Sequence, residues 1–203
     1  MADPAKIARA VARLAPGSII RMGGMTDCFQ PAEAIYRLTY KTIRILNERG
    51  VGYLIVTKSP MVAEERYIYA MDPRLAHIQI SVTTTDDALA GTYERAAPPS
   101  QRIAAAEKLQ RRGFDVALRL SPFVPQLVDP GRINRVDCAK ALVEFLRVNA
   151  RIARRFGIDL SRYVFPQGGY RHLPLEEKLG ALRRITGFDN MSVCEDVTEH
   201  YAY

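Results

Sequence analysis

The sequence predicts an α/β fold built on a parallel sheet, and three observations support this prediction. Short apolar runs alternate with amphipathic stretches, which implies right-handed βαβ units. Four of the runs break into a polar cluster at the C-terminal end, where parallel sheets carry their chemistry. A length of 203 residues with 48% hydrophobic residues suits one domain, residues 1–203. We therefore predict a parallel sheet or a partial (β/α) barrel with an active-site face.

The four apolar runs are the predicted strands, and we expect them to be adjacent, parallel and in sequence order. They occupy residues 18–22, 53–57, 77–83 and 115–120. The polar clusters that follow them are residues 23–28, 57–59, 81–85 and 119–122. Because the carboxyl ends of parallel strands share one edge of a sheet, these clusters should meet there.

Capping residues and apolar spacing place helices between the strands. Asp3 caps a first helix, which should run to about Leu14. A second helix should cover residues 31–50. Its predicted inward face consists of Ile35, Leu38, Thr42, Ile45 and Leu46. Residues 62–70 carry only a modest helical signal.

The pattern after residue 97 is less regular. Helices are predicted at residues 98–113, 134–138 and 174–185, and a last short strand at residues 191–194. Residues 139–156 fit either one long helix or a strand at residues 141–147 followed by a helix. Periodicity alone does not choose between these two alternatives.

The net charge of +7, with a pI near 9.5, suits an anionic partner such as nucleic acid. Much of the excess is arginine on predicted helix surfaces, including Arg102, Arg111 and Arg112. Solvated charges are ordinary on such surfaces, so nucleic-acid binding stays one of two interpretations of the charge.

Several classes of protein and site lack their sequence signature here. The chain has no run of about 18 uncharged apolar residues, and residues 2–13 are amphipathic and charged, so we expect a cytoplasmic protein with no membrane partner. The glycine fingerprint of dinucleotide-binding folds, the Walker A loop and the nucleophile elbow are absent. Three scattered cysteines argue against a disulfide framework, and the histidines have no zinc-ligand spacing.

Five motifs, taken in their order and spacing, carry a resemblance to a known family. They are Gly-Gly-Met-Thr-Asp-Cys-Phe-Gln-Pro at residues 23–31, Val-Thr-Lys-Ser at 56–59, Ile-Ser-Val-Thr-Thr at 80–84, Glu-Arg-Ala-Ala-Pro-Pro-Ser at 94–100 and Arg-Leu-Ser-Pro-Phe-Val-Pro at 119–125. Through them the chain resembles the radical S-adenosylmethionine superfamily, and within it the spore photoproduct lyase and DNA-repair-photolyase-like branch. The resemblance implies a partial (β/α) barrel with a parallel sheet.

The same resemblance implies two cofactors, S-adenosylmethionine and a [4Fe-4S] cluster. In that family a Cys-x-x-x-Cys-x-x-Cys loop after the first strand holds the cluster, whose open iron binds S-adenosylmethionine. This sequence contains no such motif. We therefore expect the family's first strand and cluster loop to be missing, and no cluster to be held by the chain as it stands. A fragment or an internally initiated product is the favoured explanation.

The resemblance also implies a cofactor site at the carboxyl ends of the strands. Gly23 and Gly24 would approach the amino group of the cofactor, and Lys58 would pair with its carboxylate. The complete predicted set is Gly23, Gly24, Met25, Thr26, Asp27, Lys58, Ser81, Thr83, Arg119 and Ser121. Gly23, Gly24, Lys58, Ser81 and Arg119 are expected to line one cavity. The competing interpretations are a tight turn at the two glycines, a solvated lysine at residue 58, and hydroxyl groups of Ser81 and Thr83 that only form hydrogen bonds at the rim of the barrel.

Two candidate site side chains and one charged pair have their own alternatives. Cys28 is a candidate catalytic hydrogen-atom donor by resemblance, and its alternative is an inert buried cysteine. Arg119 interrupts an apolar strand, so if it is buried it needs an anionic partner, either a ligand or an internal carboxylate. Glu144 and Arg147 would pair on a helix but would face opposite sides of a strand.

These observations give one function and one alternative. The chain is interpreted as a radical S-adenosylmethionine-type enzyme or a fragment of one, acting on DNA or a nucleotide-containing substrate. It would cleave S-adenosylmethionine reductively only if the cluster loop is supplied. The alternative is a non-catalytic α/β barrel domain that binds a nucleoside or nucleic acid.

Overall fold

The computed structural model describes residues 3–156 and 159–194. The strands are β1 (Ile19–Met22), β2 (Gly52–Thr57), β3 (Ala76–Val82), β4 (Asp115–Phe123), β5 (Lys140–Phe145), β6 (Phe165–Gln167), β7 (Tyr170–His172) and β8 (Asn190–Val193). The α-helices are α1 (Pro4–Val11), α2 (Pro31–Tyr36), α3 (Leu38–Glu48), α4 (Glu65–Ile68), α5 (Asp87–Tyr93), α6 (Pro99–Arg111), α7 (Pro130–Ile133), α8 (Ala150–Phe156) and α9 (Leu175–Leu182). Short 3₁₀ helices occupy Pro60–Ala63, Pro125–Leu127 and Leu160–Arg162.

Six strands form one parallel sheet in the order β1-β2-β3-β4-β5-β8. The four strands predicted from the apolar runs are therefore confirmed as adjacent, parallel and in sequence order. In the described part of the chain, β1 and β8 are the two edges of this sheet. Strands β6 and β7 form a separate antiparallel hairpin.

The two faces of the sheet differ in chemistry. One face carries fully buried residues such as Ile55, Ile78 and Leu118, which belong to the main hydrophobic core. Since side chains alternate along a strand, Gln79 and Arg119 lie on the other face, and they too are buried. The polar face thus lies inside the protein, as the interior of a partial barrel does.

The predicted helix at residues 31–50 is wrong as a single helix. Arg37, with φ of 52°, separates α2 from α3. The buried Glu33 carboxylate accepts hydrogen bonds from the backbone N–H groups of Thr39 (2.8 Å) and Tyr40 (2.9 Å), so it satisfies the first donors of α3. As a consequence Ile35, predicted to face inward, is 75% exposed.

The structure decides between the alternatives for residues 139–156 and corrects the helix predicted before them. Residues 139–156 form strand β5 followed by α8, which is the second of the two alternatives. The helix predicted at residues 134–138 is wrong, because the helical turn lies earlier, in α7. There the Asp129 carboxylate accepts from the Gly131 N–H at 2.8 Å, and Pro130 occupies the first helical position.

Smaller features follow the sequence signals closely. The Asp3 carboxylate caps α1 as predicted, accepting from the Ala5 N–H at 2.9 Å, although the helix ends at Val11. Residues 168 and 169 form the turn of the β6–β7 hairpin. Each helix within residues 3–156 and 159–194 is too short or too polar to cross a bilayer.

Candidate functional site

Three neighbouring cavities lie at the carboxyl ends of the sheet strands. The first, of about 460 Å³, is lined by Gly23, Thr26 and Cys28 among others. The second, of about 640 Å³, shares Asp27 and Gln30 with the first, and the third, of about 300 Å³, shares Lys58 and Glu94 with the second. The cavities therefore follow one another from the end of β1 toward the ends of β4 and β5.

Asp27 ties the loop after β1 to the end of β2. Its carboxylate accepts hydrogen bonds from the Thr57 hydroxyl (2.8 Å), the Lys58 backbone N–H (2.7 Å) and the Phe29 N–H (2.9 Å). Three protein donors thus hold this predicted cofactor contact. The Asp27 carboxylate thereby fixes the backbone from which the Lys58 side chain projects.

The two adjacent glycines have different surroundings. Gly23 has φ of +88°, and a Cβ built there would lie 2.2 Å from the carbonyl oxygen of Val56 in β2. At Gly24 the nearest heavy atom would be Arg21 Nε, at an ordinary 3.6 Å. Gly23 is therefore required by the packing of β1 against β2. Met25, also in the predicted set, is 99% exposed.

Lys58 belongs to a charged cluster centred on Glu94. The Lys58 Nζ atom lies 2.6 Å from Glu94 Oε2, and Arg102 Nη2 lies 2.5 Å from Glu94 Oε1. The Thr83 hydroxyl also donates to Glu94 Oε1, at 3.0 Å. Burial by itself would raise the pKa of Glu94, but the hydrogen bonds from Lys58 and Arg102 lower it below that of an ordinary glutamate.

The sequence interpretation of Arg102 as a solvated helix-surface charge is wrong. Its side chain is fully buried, because α6 brings it against the end of β3. There Nε donates to the carbonyl of Ala97 (2.6 Å) and Nη1 to the carbonyl of Ser81 (3.1 Å). Neither Glu94 nor Arg102 was identified as a site residue, although both fall in or next to the motif at residues 94–100.

A second buried cluster answers the question of what pairs with Arg119. Its guanidinium donates to Glu144 Oε2 (2.6 Å) and to Gln79 Oε1 (2.8 Å). The Ser121 hydroxyl donates to the same Glu144 oxygen at 2.7 Å. The anionic partner is therefore an internal carboxylate, on the neighbouring strand β5.

Glu144 also pairs with Arg147, at 3.2 Å, although it lies on a strand. The prediction that the two would face opposite sides of a strand is wrong because β5 ends at Phe145, so the alternation does not extend to Arg147. Ser81 and Arg119 are buried and do not line these three cavities, whose walls include Gly23 in the first and Lys58 in the second and third.

Cys28 is half-buried in the wall of the first cavity. Burial and, to a smaller extent, the charge of Asp27 together raise the pKa of its thiol to about 12. The thiol is therefore protonated at neutral pH. A protonated thiol retains the S–H bond that a hydrogen-atom donor needs, but it is a poor metal ligand.

The three cysteines do not form a cluster site. Cys138 precedes β5 at the amino end of the sheet, whereas Cys194 follows β8 at the carboxyl end, where its N–H donates to the carbonyl of Val143. The pairing of Val143 with Val193 places Cys194 about six residues along the sheet from Cys138, which at about 3.3 Å per residue is roughly 20 Å. Among the described residues, no group of three or more His, Cys, Asp or Glu side chains could hold a metal ion.

No protein-family model matches the chain. An uncharacterized protein of Acidianus two-tailed virus is 26% identical over 110 residues, which are 54% of this chain and 36% of that protein. An uncharacterized protein of Mycobacterium tuberculosis H37Rv is 27% identical over 115 residues, 55% of this chain and 34% of that protein. The matched region thus spans about a third of these relatives.

Solved structures give a longer match. Spore photoproduct lyase, in complex with dinucleoside spore photoproduct, superposes with a TM-score of 0.64 at 16% identity, covering 94% of this chain and 64% of that chain. A domain of pyruvate-formate lyase-activating enzyme from Bacteroides vulgatus gives a TM-score of 0.54 at 11% identity, covering 85% of this chain and 99% of that domain. The chain therefore shares the α/β fold of these proteins, consistent with a partial (β/α) barrel.

Proposed function

We propose that the chain binds S-adenosylmethionine at the carboxyl ends of β1 to β4, as a radical S-adenosylmethionine-type enzyme or part of one. The observation that carries this proposal is the position of Lys58, whose side chain lies in the walls of both the second and the third cavity. A flexible ammonium at a strand end suits the carboxylate of an amino-acid ligand. A variant of spore photoproduct lyase with this fold was solved with bound AdoMet and dinucleoside spore photoproduct.

The iron–sulfur cluster does not fit the residues present. Cys138 and Cys194 lie at opposite ends of the sheet, and no group of three His, Cys, Asp or Glu side chains among the described residues could hold a metal ion. We therefore propose cofactor binding without reductive cleavage unless another segment supplies a three-cysteine loop.

Binding of S-adenosylmethionine should be micromolar to millimolar, and it should depend on Lys58. Charge-assisted hydrogen bonds contribute about 1.5–3 kcal/mol each before the costs of ordering the ligand, so a few such contacts give modest affinity. Isothermal titration calorimetry of Lys58→Ala should show roughly tenfold weaker binding, since about 1.4 kcal/mol corresponds to one decade.

Lys41→Ala is the matched control, because Lys41 is an exposed lysine on α3. This variant removes the same charge and should bind like the wild type. Sub-micromolar binding by the wild-type chain, or equal affinities for Lys58→Ala and Lys41→Ala, would contradict the proposal.

A second candidate function is binding of single-stranded nucleic acid, and the β6–β7 hairpin favours it. Phe165 is 55% exposed and Tyr170 is 39% exposed. Phe165 pairs with His172, and Gln167 with Tyr170, so the two aromatic rings lie on one face of the hairpin. Arg171, which pairs with Pro166, is exposed on the opposite face, so the rings alone form the candidate binding surface. Exposed aromatic rings are the stacking platforms on which unpaired bases bind.

The double variant Phe165→Ser/Tyr170→Ser should weaken binding of a fluorescent single-stranded oligonucleotide by about tenfold or more. Stacking on an aromatic side chain contributes about 1–3 kcal/mol per base, and both platforms are removed. Fluorescence anisotropy at low salt measures the loss. Tyr69→Ser is the control, since Tyr69 is 78% exposed just after α4. Equal losses in the two variants would mean that the hairpin does not bind nucleic acid.

A further inference from the structure

Glu94 lies at the boundary between two cavities, and the function proposed above gives it no role. Its side chain and that of Lys58 line both the second and the third cavity. The 2.6 Å ion pair between them therefore forms part of the wall that separates the two spaces. A ligand group that enters either cavity and approaches Lys58 also approaches Glu94.

The partners of Glu94 differ in how firmly they are held. Arg102 is fully buried and Thr83 is 4% exposed, and both bond to Glu94 Oε1. The Lys58 side chain, which bonds to Oε2, is 33% exposed. The carboxylate is thus fixed from the protein interior. The lysine is the partner with room to move, because its side chain is partly exposed and Asp27 holds its backbone N–H, not its ammonium.

We propose that Glu94 is a positioning residue, which holds the Lys58 ammonium between the second and third cavities until an anionic ligand group takes it. This inference rests on the proposed role of Lys58 in binding the carboxylate of S-adenosylmethionine. Glu94 and the ligand carboxylate then compete for one ammonium, since both need its hydrogen bonds. Part of the binding free energy is used to break the ion pair, so the pair lowers the apparent affinity and excludes weaker anions.

Replacing Glu94 without opening a cavity tests this competition. Glu94→Gln keeps an acceptor for Arg102 and Thr83 but removes the charge that holds Lys58. Calorimetry with S-adenosylmethionine should show roughly two- to fivefold tighter binding than the wild type, the range expected for release of one partly exposed ion pair. Glu94→Asp, which keeps a carboxylate for Arg102 and shortens its reach to Lys58, should bind more tightly in the same direction and serves if the glutamine variant does not fold.

If Glu94 positions Lys58, the tighter binding of Glu94→Gln must depend on the presence of Lys58. A purely structural role of Glu94 would not require this dependence. In the Lys58→Ala background, Glu94→Gln should leave the affinity unchanged, and a double-mutant cycle measures this coupling. Glu48→Gln, at an exposed glutamate of α3, controls for the general loss of negative charge and should match the wild type.

The outcomes separate this inference from the function on which it rests. If Lys58→Ala weakens binding but the folded Glu94 variants bind like the wild type or more weakly, the positioning role is wrong and cofactor binding stands. If Lys58→Ala has no effect, the proposed function itself fails. An equal gain with and without Lys58 would also overturn the positioning role.

Discussion

Replacing Gly23 with alanine should remove much of the protein's folding stability. The residue has φ of +88°, and an added Cβ would lie 2.2 Å from the Val56 carbonyl oxygen. That oxygen belongs to the backbone of a buried strand, so it cannot move aside as a flexible side chain would. Left-handed backbone costs a non-glycine residue roughly 1–2 kcal/mol, and overpacking adds typically 1–3 kcal/mol. A total of about 2–5 kcal/mol is a large share of an ordinary stability of about 5–15 kcal/mol.

Two alanine controls separate the components of this effect. Gly113 has φ of +80° with open space around its Cβ position, so Gly113→Ala isolates the backbone strain. Gly24→Ala adds a methyl group in ordinary contact with the Arg21 side chain. Urea denaturation followed by circular dichroism should rank Gly23→Ala well below both controls. A loss no larger than that of Gly113→Ala would show that β1 and β2 separate to admit the methyl group.

The strand order could be predicted because its signals are local. Each sheet strand from β1 to β4 is a mostly apolar run that ends in a polar cluster, and alternation with helices fixes the parallel arrangement. The break between α2 and α3 has no local signal of that kind. Glu33 acts on N–H groups six and seven residues further along the chain, a spacing outside the capping box.

The ion pairs of the site were harder to predict than the strands, because they join residues that are distant in sequence. The position of Lys58 at a strand end follows from the sequence, but its partner Glu94 lies 36 residues away. Arg119 was recognised as needing an anion, and Glu144, 25 residues away, supplies it only because residues 139–156 begin with a strand. Ion pairs between side chains that are distant in sequence depend on the tertiary fold. Propensity and spacing therefore indicate which charges need partners, but not which partners they find.

Arg102→Met is expected to destabilise the protein by about 3–5 kcal/mol, the range for breaking one side of a buried ion pair. Methionine fills part of the space, but three acceptors lose the hydrogen bond that Arg102 donates: Glu94 Oε1 and the carbonyl groups of Ala97 and Ser81. Arg111→Met on the same helix is the control. The Arg111 side chain is 59% exposed, so its replacement should change the free energy of unfolding by no more than about 0.5 kcal/mol.

The pH dependence of the stability lost in Arg102→Met tests whether the Glu94 charge causes that loss. In the wild type the lowered pKa of Glu94 contributes stability above the ordinary glutamate pKa, and this stability is lost as the pH falls through the folded-state value. In Arg102→Met the Glu94 carboxylate has lost one of its two cationic partners, so its pKa rises. Protonation then removes the free-energy cost of burying the carboxylate charge. The difference in free energy of unfolding between wild type and Arg102→Met should therefore be largest near pH 7 and should narrow below about pH 4.5. Urea denaturation of both proteins, at pH 7 and below about pH 4.5, measures this difference. If the difference is the same at the two pH values, the loss of stability comes from the unpaired carbonyl groups and the packing, not from the Glu94 charge.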